Sequence, residues 1–92
     1  MIKIVHDSEN NKAVAYDENK SIGESTYSKS EKLWIIDHTF VDENYGGQGI
    51  GGKLVAELVK EARKNKVKII PLCPFAKKEF LERPEYLDVL SK

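Results

Sequence analysis

The chain has 92 residues, 40% of them hydrophobic and 33% charged, and this length suits one domain, residues 1–92, and is too short for two. Fifteen basic and fifteen acidic side chains cancel, so no net field draws the chain to nucleic acid or to an anionic membrane. The single cysteine excludes an intramolecular disulfide and multi-cysteine zinc sites, and no apolar run reaches the roughly 18–20 residues of a membrane span.

The first third reads as strands. Met1 to Asp7 carries β-branched Ile2, Ile4 and Val5, and Ser8-Glu9-Asn10-Asn11 reads as a hairpin turn. Lys12 to Asp17 is the second strand, and Asp17-Glu18-Asn19-Lys20 is a second polar break. Ser21 to Ser28 alternates weakly. Lys32 to Val41 is apolar at Leu33, Trp34, Ile35, Ile36, Phe40 and Val41, which predicts a central strand covered on both faces. Connections this short make an antiparallel meander, because parallel neighbours need a crossover of roughly a dozen residues or more.

The character changes at Asp42. An acidic stretch leads into Gly46-Gly47-Gln48-Gly49-Ile50-Gly51-Gly52, and a helix follows with Ile50, Leu54, Val55, Leu58, Val59 and Ala62 on one stripe. Lys66 to Leu72 supplies a strand, so Trp34 to Leu72 forms one right-handed βαβ unit. Pro74 starts a last helix, which ends before Arg83-Pro84. Tyr86, Leu87 and Leu90 are expected to pack back on the core, and His6 to lie on the surface.

Five glycines within seven residues imply that main-chain N–H groups approach something closely. Amides at a helix start, with the positive end of its dipole, favour an anion such as phosphate. Along the chain, residues 1–46 carry five basic and nine acidic groups and residues 47–92 ten and six, so the sign changes inside the glycine cluster; an anionic small ligand there and a merely solvated charge distribution both fit, the latter being the commoner case. A P-loop fits Gly47 to Lys53 but fails at Leu54, where a magnesium-binding hydroxyl is needed. A dinucleotide fingerprint fits Gly47 to Gly52 in part but lacks the acidic ribose ligand after the next strand.

Gly46-Gly47-Gln48-Gly49-Ile50-Gly51 resembles the acetyl-CoA pyrophosphate loop of the GNAT superfamily of N-acetyltransferases, written Q/R-x-x-G-x-G/A. Gly49 and Gly51 match, and Gly46 departs by removing the Q/R side chain. His38-Thr39-Phe40-Val41, Leu72-Cys73-Pro74-Phe75 and Pro84-Glu85-Tyr86 extend the likeness to the small single-domain branch of that superfamily. The resemblance implies an α+β acyl-CoA N-acyltransferase fold shortened at its N-terminus. It also implies acetyl-CoA as co-substrate, with pantetheine beside Phe40 and Val41 and pyrophosphate on Gly46, Gly47, Gln48, Gly49, Ile50, Gly51, Gly52 and Lys53. Lys77 and Lys78 are further candidates for the nucleotide phosphates.

Transfer to an amine requires a free lone pair, and an alkyl ammonium with pKa about 10.4 costs about 4–5 kcal/mol to deprotonate at neutral pH. His38, at the end of the central strand, is the candidate base or else a buried, hydrogen-bonded structural histidine, and Asp37 and Glu24 are further carboxylate candidates or simply exposed side chains. Cys73, ahead of a helix start, is the candidate acid or acyl acceptor, or else a small buried apolar residue. The resemblance implies a tyrosine acid in this region, as in many GNAT enzymes; Phe75 cannot act as one, leaving Tyr86 or Tyr45 to replace it. No metal is expected. The function implied is acetyl transfer to an unidentified amine. The alternative is a non-catalytic acetyl-CoA-binding sensor or partner module, which the short N-terminal half favours. The protein is expected in the cytoplasm, as a monomer or weak dimer, with no nucleic-acid or membrane partner.

Overall fold

Asn11 and Glu18, at φ 54° and 55°, close the first two hairpins, and the Asp7 carboxylate fixes the first turn by accepting from the backbone and side-chain nitrogens of Asn10. In this computed structural model, which describes residues 1–91, the hairpins join β1 (Ile2–Asp7), β2 (Lys12–Asp17) and β3 (Lys20–Lys29). β4 (Leu33–Val41) follows, then a 3₁₀ turn (Glu43–Tyr45), α1 (Ile50–Asn65), β5 (Lys68–Pro71), α2 (Pro74–Glu82) and a 3₁₀ segment (Pro84–Val89). The sheet order is β1-β2-β3-β4-β5, antiparallel through β4, with β5 parallel to β4. The meander and the βαβ unit are therefore as the sequence predicts.

The predicted stripe of α1 is its buried face: Ile50, Leu54, Val55, Leu58, Val59 and Ala62 are all buried. They meet Ala13, Ala15, Tyr27, Trp34 and Ile36 from one face of the sheet. Burial of a Leu or Val side chain is worth about 1.5–3 kcal/mol, so this layer is the core. Lys66 ends α1 in the left-handed region at φ 58°, with its N–H on the carbonyls of Ala62 and Arg63. That cap delays β5 to Lys68, two residues later than the sequence suggested.

Three expectations fail. The central strand is covered on one face only: Trp34 and Ile36 are buried, Leu33 and Ile35 are half-buried, and Phe40 is 54% exposed. An antiparallel sheet tolerates one wet face. His6 is not on the surface, its side chain being 11% exposed. Even-numbered positions of β1 face α1, and small Ala13 opposite His6 leaves room for the ring. Its Nε2 lies 2.8 Å from Tyr27 Oη and its Nδ1 3.4 Å from Glu61 Oε1 on α1. In the tail Tyr86 and Val89 are buried and Leu90 packs on the core, while Leu87 is exposed, because three residues per 3₁₀ turn put positions 86 and 89 on the inward side.

Candidate functional site

A bulge in β4 prepares the site. Thr26 pairs with His38 and Tyr27 with Ile36, leaving Asp37 as the extra residue. Its carboxylate accepts from Thr26 Oγ1 at 2.6 Å and Ser28 Oγ at 2.9 Å. Parallel pairing with β5 stops at Ile36–Pro71, and the N–H groups of Leu72 and Cys73 both turn to the Ile36 carbonyl. Among the described residues no strand lies beside that edge of β4 from Asp37 to Val41. Its main-chain groups are open to an extended ligand.

The loop after β4 is held at both ends. Asp42 Oδ1 accepts from Asn44 N at 2.9 Å, and the Tyr45 hydroxyl donates to Asp17 Oδ2 at 2.7 Å. That bond holds the Asp17 carboxyl below its ordinary range and raises the Tyr45 phenol. α1 then starts from Gly49 in the left-handed region, with no side-chain cap and no acidic residue in its first turn. Its first N–H groups have no intrahelical partner, so the helix start presents donors and positive partial charge to the cleft in front of it. The cleft is about 600 Å³.

The glycines serve different ends. Gly47 and Gly49 have φ 79° and 72°, with nothing within 4 Å of a Cβ, so backbone conformation is what demands glycine there. A Cβ at Gly51 would lie 2.6 Å from Phe75 Cζ, and one at Gly52 would lie 3.2 Å from Glu79 Oε1. Those two make room for α2. Gly46, at φ −63° and ψ 153°, has no such requirement.

Val41, Gly46, Gly47, Gly49, Ile50, Gly51, Gly52 and Lys53 all line the cleft, and Gln48 and Phe40 do not. Phe40 points to the wet face with Glu24, its partner in register. Lys77 borders a separate apolar groove with Leu72, Leu81 and Leu87, and Lys78 is exposed outside the cleft.

The two candidate catalytic residues are not brought together. His38 is exposed, and the alternation of β4 sets it on the face opposite Thr39. Cys73 is 6% exposed and caps α2, its Sγ accepting from Ala76 N at 3.3 Å. Thr39 Oγ1 is 3.4 Å from that sulfur and 3.0 Å from Ser25 Oγ, and Ser25 is fully buried. This hydroxyl chain was missed from sequence. Alternation alone pairs Ser25 with Thr39, but nothing local marks Thr39 as the neighbour of a residue 34 positions on. Tyr86 lines the cleft, with burial raising its phenol. Among the described residues no cluster of side chains suits a metal ion.

A family model described as GCN5-related N-acetyl-transferase matches residues 12–89. Among solved structures, a GCN5-like N-acetyltransferase candidate from Staphylococcus aureus is 38% identical with a TM-score of 0.76, covering 97% of this chain and 87% of that one. A GNAT family acetyltransferase from Elizabethkingia anophelis with acetyl-CoA bound has 21% identity and a TM-score of 0.59, over 77% of this chain and 50% of that one. A streptothricin acetyltransferase candidate from Bacillus anthracis, in complex with acetyl coenzyme A, has 24% identity and a TM-score of 0.58, over 77% and 43%. The chain thus spans about half the length of these last two, whose likeness bears on the fold. No curated protein matches.

Proposed function

The chain belongs to the GCN5-related N-acetyltransferase family, and from that premise we propose that residues 1–92 act as one acetyl-CoA-binding domain that transfers acetyl to an amine. One observation carries the reading: a helix start without a side-chain cap, entered through left-handed Gly47 and Gly49, stands beside a β4 edge that lacks a strand neighbour. The helix start suits a diphosphate and the open edge suits the amide groups of pantetheine. Phe40 and Val41 supply that edge, Gly46 to Gly52 the cradle, and Lys53 a cation beside it. With Gly46 in place of a long side chain, binding rests on main-chain donors. The alternative of a sensor without turnover is not favoured in a family of acetyltransferases.

In the transfer, the amine lone pair forms a C–N bond to the thioester carbonyl carbon, the C–S bond breaks, and CoA thiolate leaves and takes a proton. His38 serves as the base for an amine that arrives on the wet face, with Asp37 beside it held by Thr26 and Ser28. Cys73 serves as the acid for the thiolate, its sulfur in contact with the Ser25–Thr39 hydroxyl pair. Its present role as a cap competes with that assignment, and substitution separates the two. Cys73→Ser keeps a capping atom, so stability should hold while turnover falls. Cys73→Ala should cost about 0.5–2 kcal/mol of stability as well. Turnover unchanged in Cys73→Ser would make the cysteine a cap alone.

Titration with acetyl-CoA followed by NMR tests the whole reading. Amides of residues 40–53 and 72–78 should shift together while the β1–β2 hairpin stays still. Shifts confined to any other region would overturn it.

A further inference from the structure

α2 turns one stripe toward the start of α1. Phe75, Glu79 and Arg83 stand at four-residue spacing, and all three line the glycine cleft. Phe75 occupies the space that Gly51 leaves, and Glu79 the space that Gly52 leaves. The Glu79 side chain is only 12% exposed, and its carboxylate accepts from Arg83 Nε at 3.0 Å. A carboxylate therefore lies against the first turn of α1, the end of the helix that carries positive partial charge. Arg83 also has Glu85 Oε2 at 3.9 Å from Nη1, so its guanidinium is engaged on two sides. Of the charged side chains that line the cleft, Lys53 and Arg83 are positive and Glu79 is negative.

We infer that Glu79 is a built-in anion that opposes the diphosphate of the coenzyme, and that Arg83 is a positioning residue that sets affinity by neutralising this carboxylate, not by touching phosphate. The inference rests on the binding of CoA at the glycine loop proposed above. The Nε donor of Arg83 is bonded to Glu79 and its Nη1 lies near Glu85, so the charge of the guanidinium is directed first at these carboxylates. A carboxylate sheltered from water repels a nearby diphosphate more strongly than an exposed one does, and a cation in contact with it offsets that repulsion. The pair keeps the net attraction of the cleft small, which favours release of spent coenzyme.

Calorimetric titration of CoA into the wild type, Glu79→Gln, Arg83→Gln and the double variant tests the inference, with pantetheine as a phosphate-free control. Glutamine keeps an oxygen for Arg83 Nε and nearly the same volume against Gly52, so both the bond along α2 and the contact with α1 survive the first substitution. For one charge in a partly sheltered site, Glu79→Gln should bind CoA about tenfold tighter and Arg83→Gln about tenfold weaker, the double variant returning to within about threefold of wild type. Pantetheine should bind all four alike. A Glu79→Gln protein no tighter than wild type overturns the inference, and this variant alone is decisive if Arg83→Gln does not fold. So does a folded double variant that stays tenfold weaker than wild type, because Arg83 would then contact phosphate itself. If neither wild type nor Glu79→Gln binds CoA, the diphosphate reading fails and this inference with it. If wild type binds and the order of the variants is wrong, the inference fails by itself.

Discussion

Gly46 is the glycine of the loop with the least reason to be one, and replacing it with arginine should strengthen CoA binding. Its φ of −63° and ψ of 153° suit any residue, and the nearest atom to an added Cβ is the Glu43 carbonyl oxygen at 3.4 Å. The fold should therefore accept the side chain without strain. Fixing an arginine on a ligand costs roughly 2 kcal/mol of rotamer entropy. Each charge-assisted hydrogen bond to phosphate returns about 1.5–3 kcal/mol, and the guanidinium can make two. Asp42 and Glu43 lie close in sequence and compete for the new cation. A net gain of roughly 1–1.4 kcal/mol remains, which is a Kd about five- to tenfold lower. Calorimetry with CoA at two salt concentrations measures it. The gain should shrink as salt screens the pair, and pantetheine should bind both proteins equally. A Kd unchanged or raised, in a variant that melts like the wild type, would refute the placement of a diphosphate at Gly46 to Gly52.

Gly49→Ala tests the backbone instead: with φ at 72° and open space around the Cβ, the cost is torsional, about 1–2 kcal/mol, and a melting scan should show a fall of roughly 4–8 °C per kcal/mol. A melting point within a degree of wild type would mean that the left-handed conformation is not needed. Trp34 is buried, yet among the described residues its indole N–H has no acceptor, and an unpaired buried donor costs about 1–3 kcal/mol. Trp34→Phe, which removes that donor and keeps a ring stacked on Tyr27, should lower stability by less than about 1 kcal/mol in urea titration. A loss above about 3 kcal/mol would show that packing outweighs the unpaired group. For acid stability, the carboxyls of Asp7, Asp17 and Asp88 are lowered from 3.8 by hydrogen bonds from Asn10, Tyr45 and Arg63 respectively. Groups with depressed folded values stabilise above the unfolded value and lose that effect as pH falls through the folded one. Stability should therefore be level above about pH 5 and decline below about pH 4, and Asp17→Asn should flatten part of the decline when melting is followed against pH.

Long, strongly periodic features were legible in the sequence. The α1 stripe was read residue for residue, since helical spacing and burial have one common cause, and the βαβ unit followed from it. The glycine loop was legible as a motif but not in its reasons. Sequence shows five absent side chains, whereas only coordinates separate Gly47 and Gly49, which the backbone requires, from Gly51 and Gly52, which yield space to Phe75 and Glu79. His6 was misread because a polar residue on an edge strand usually faces water, and its partners Tyr27 and Glu61 lie 21 and 55 positions away. Phe40 was misread because an apolar run does not say how many layers cover it. The bulge at Asp37, which fixes the faces of His38 and Thr39, has no local signature in this chain.

β5 is tied to β4 over four residues, and on its other side, among the described residues, by the bridge of Ile69 to Leu90, the Ser91 N–H on the Ile69 carbonyl and the Lys68 ammonium on the Asp88 carbonyl. The hairpins of β1 to β4 close over a few residues each, while β5 must wait for the whole of α1 before it can dock. Contacts that close short loops form early and long-range parallel pairing forms late, so β5 should zip last during refolding and fray first in the native state. Hydrogen exchange should then be faster at Ile69 and Ile70 than at Ala13 to Ala15, with the crevice wall as a separate, weaker cooperative unit. A coenzyme that spans α1 and the open edge would act as a staple beside that weak seam, and saturation should slow exchange at the open end of β4 and at β5 more than in the β1–β2 hairpin.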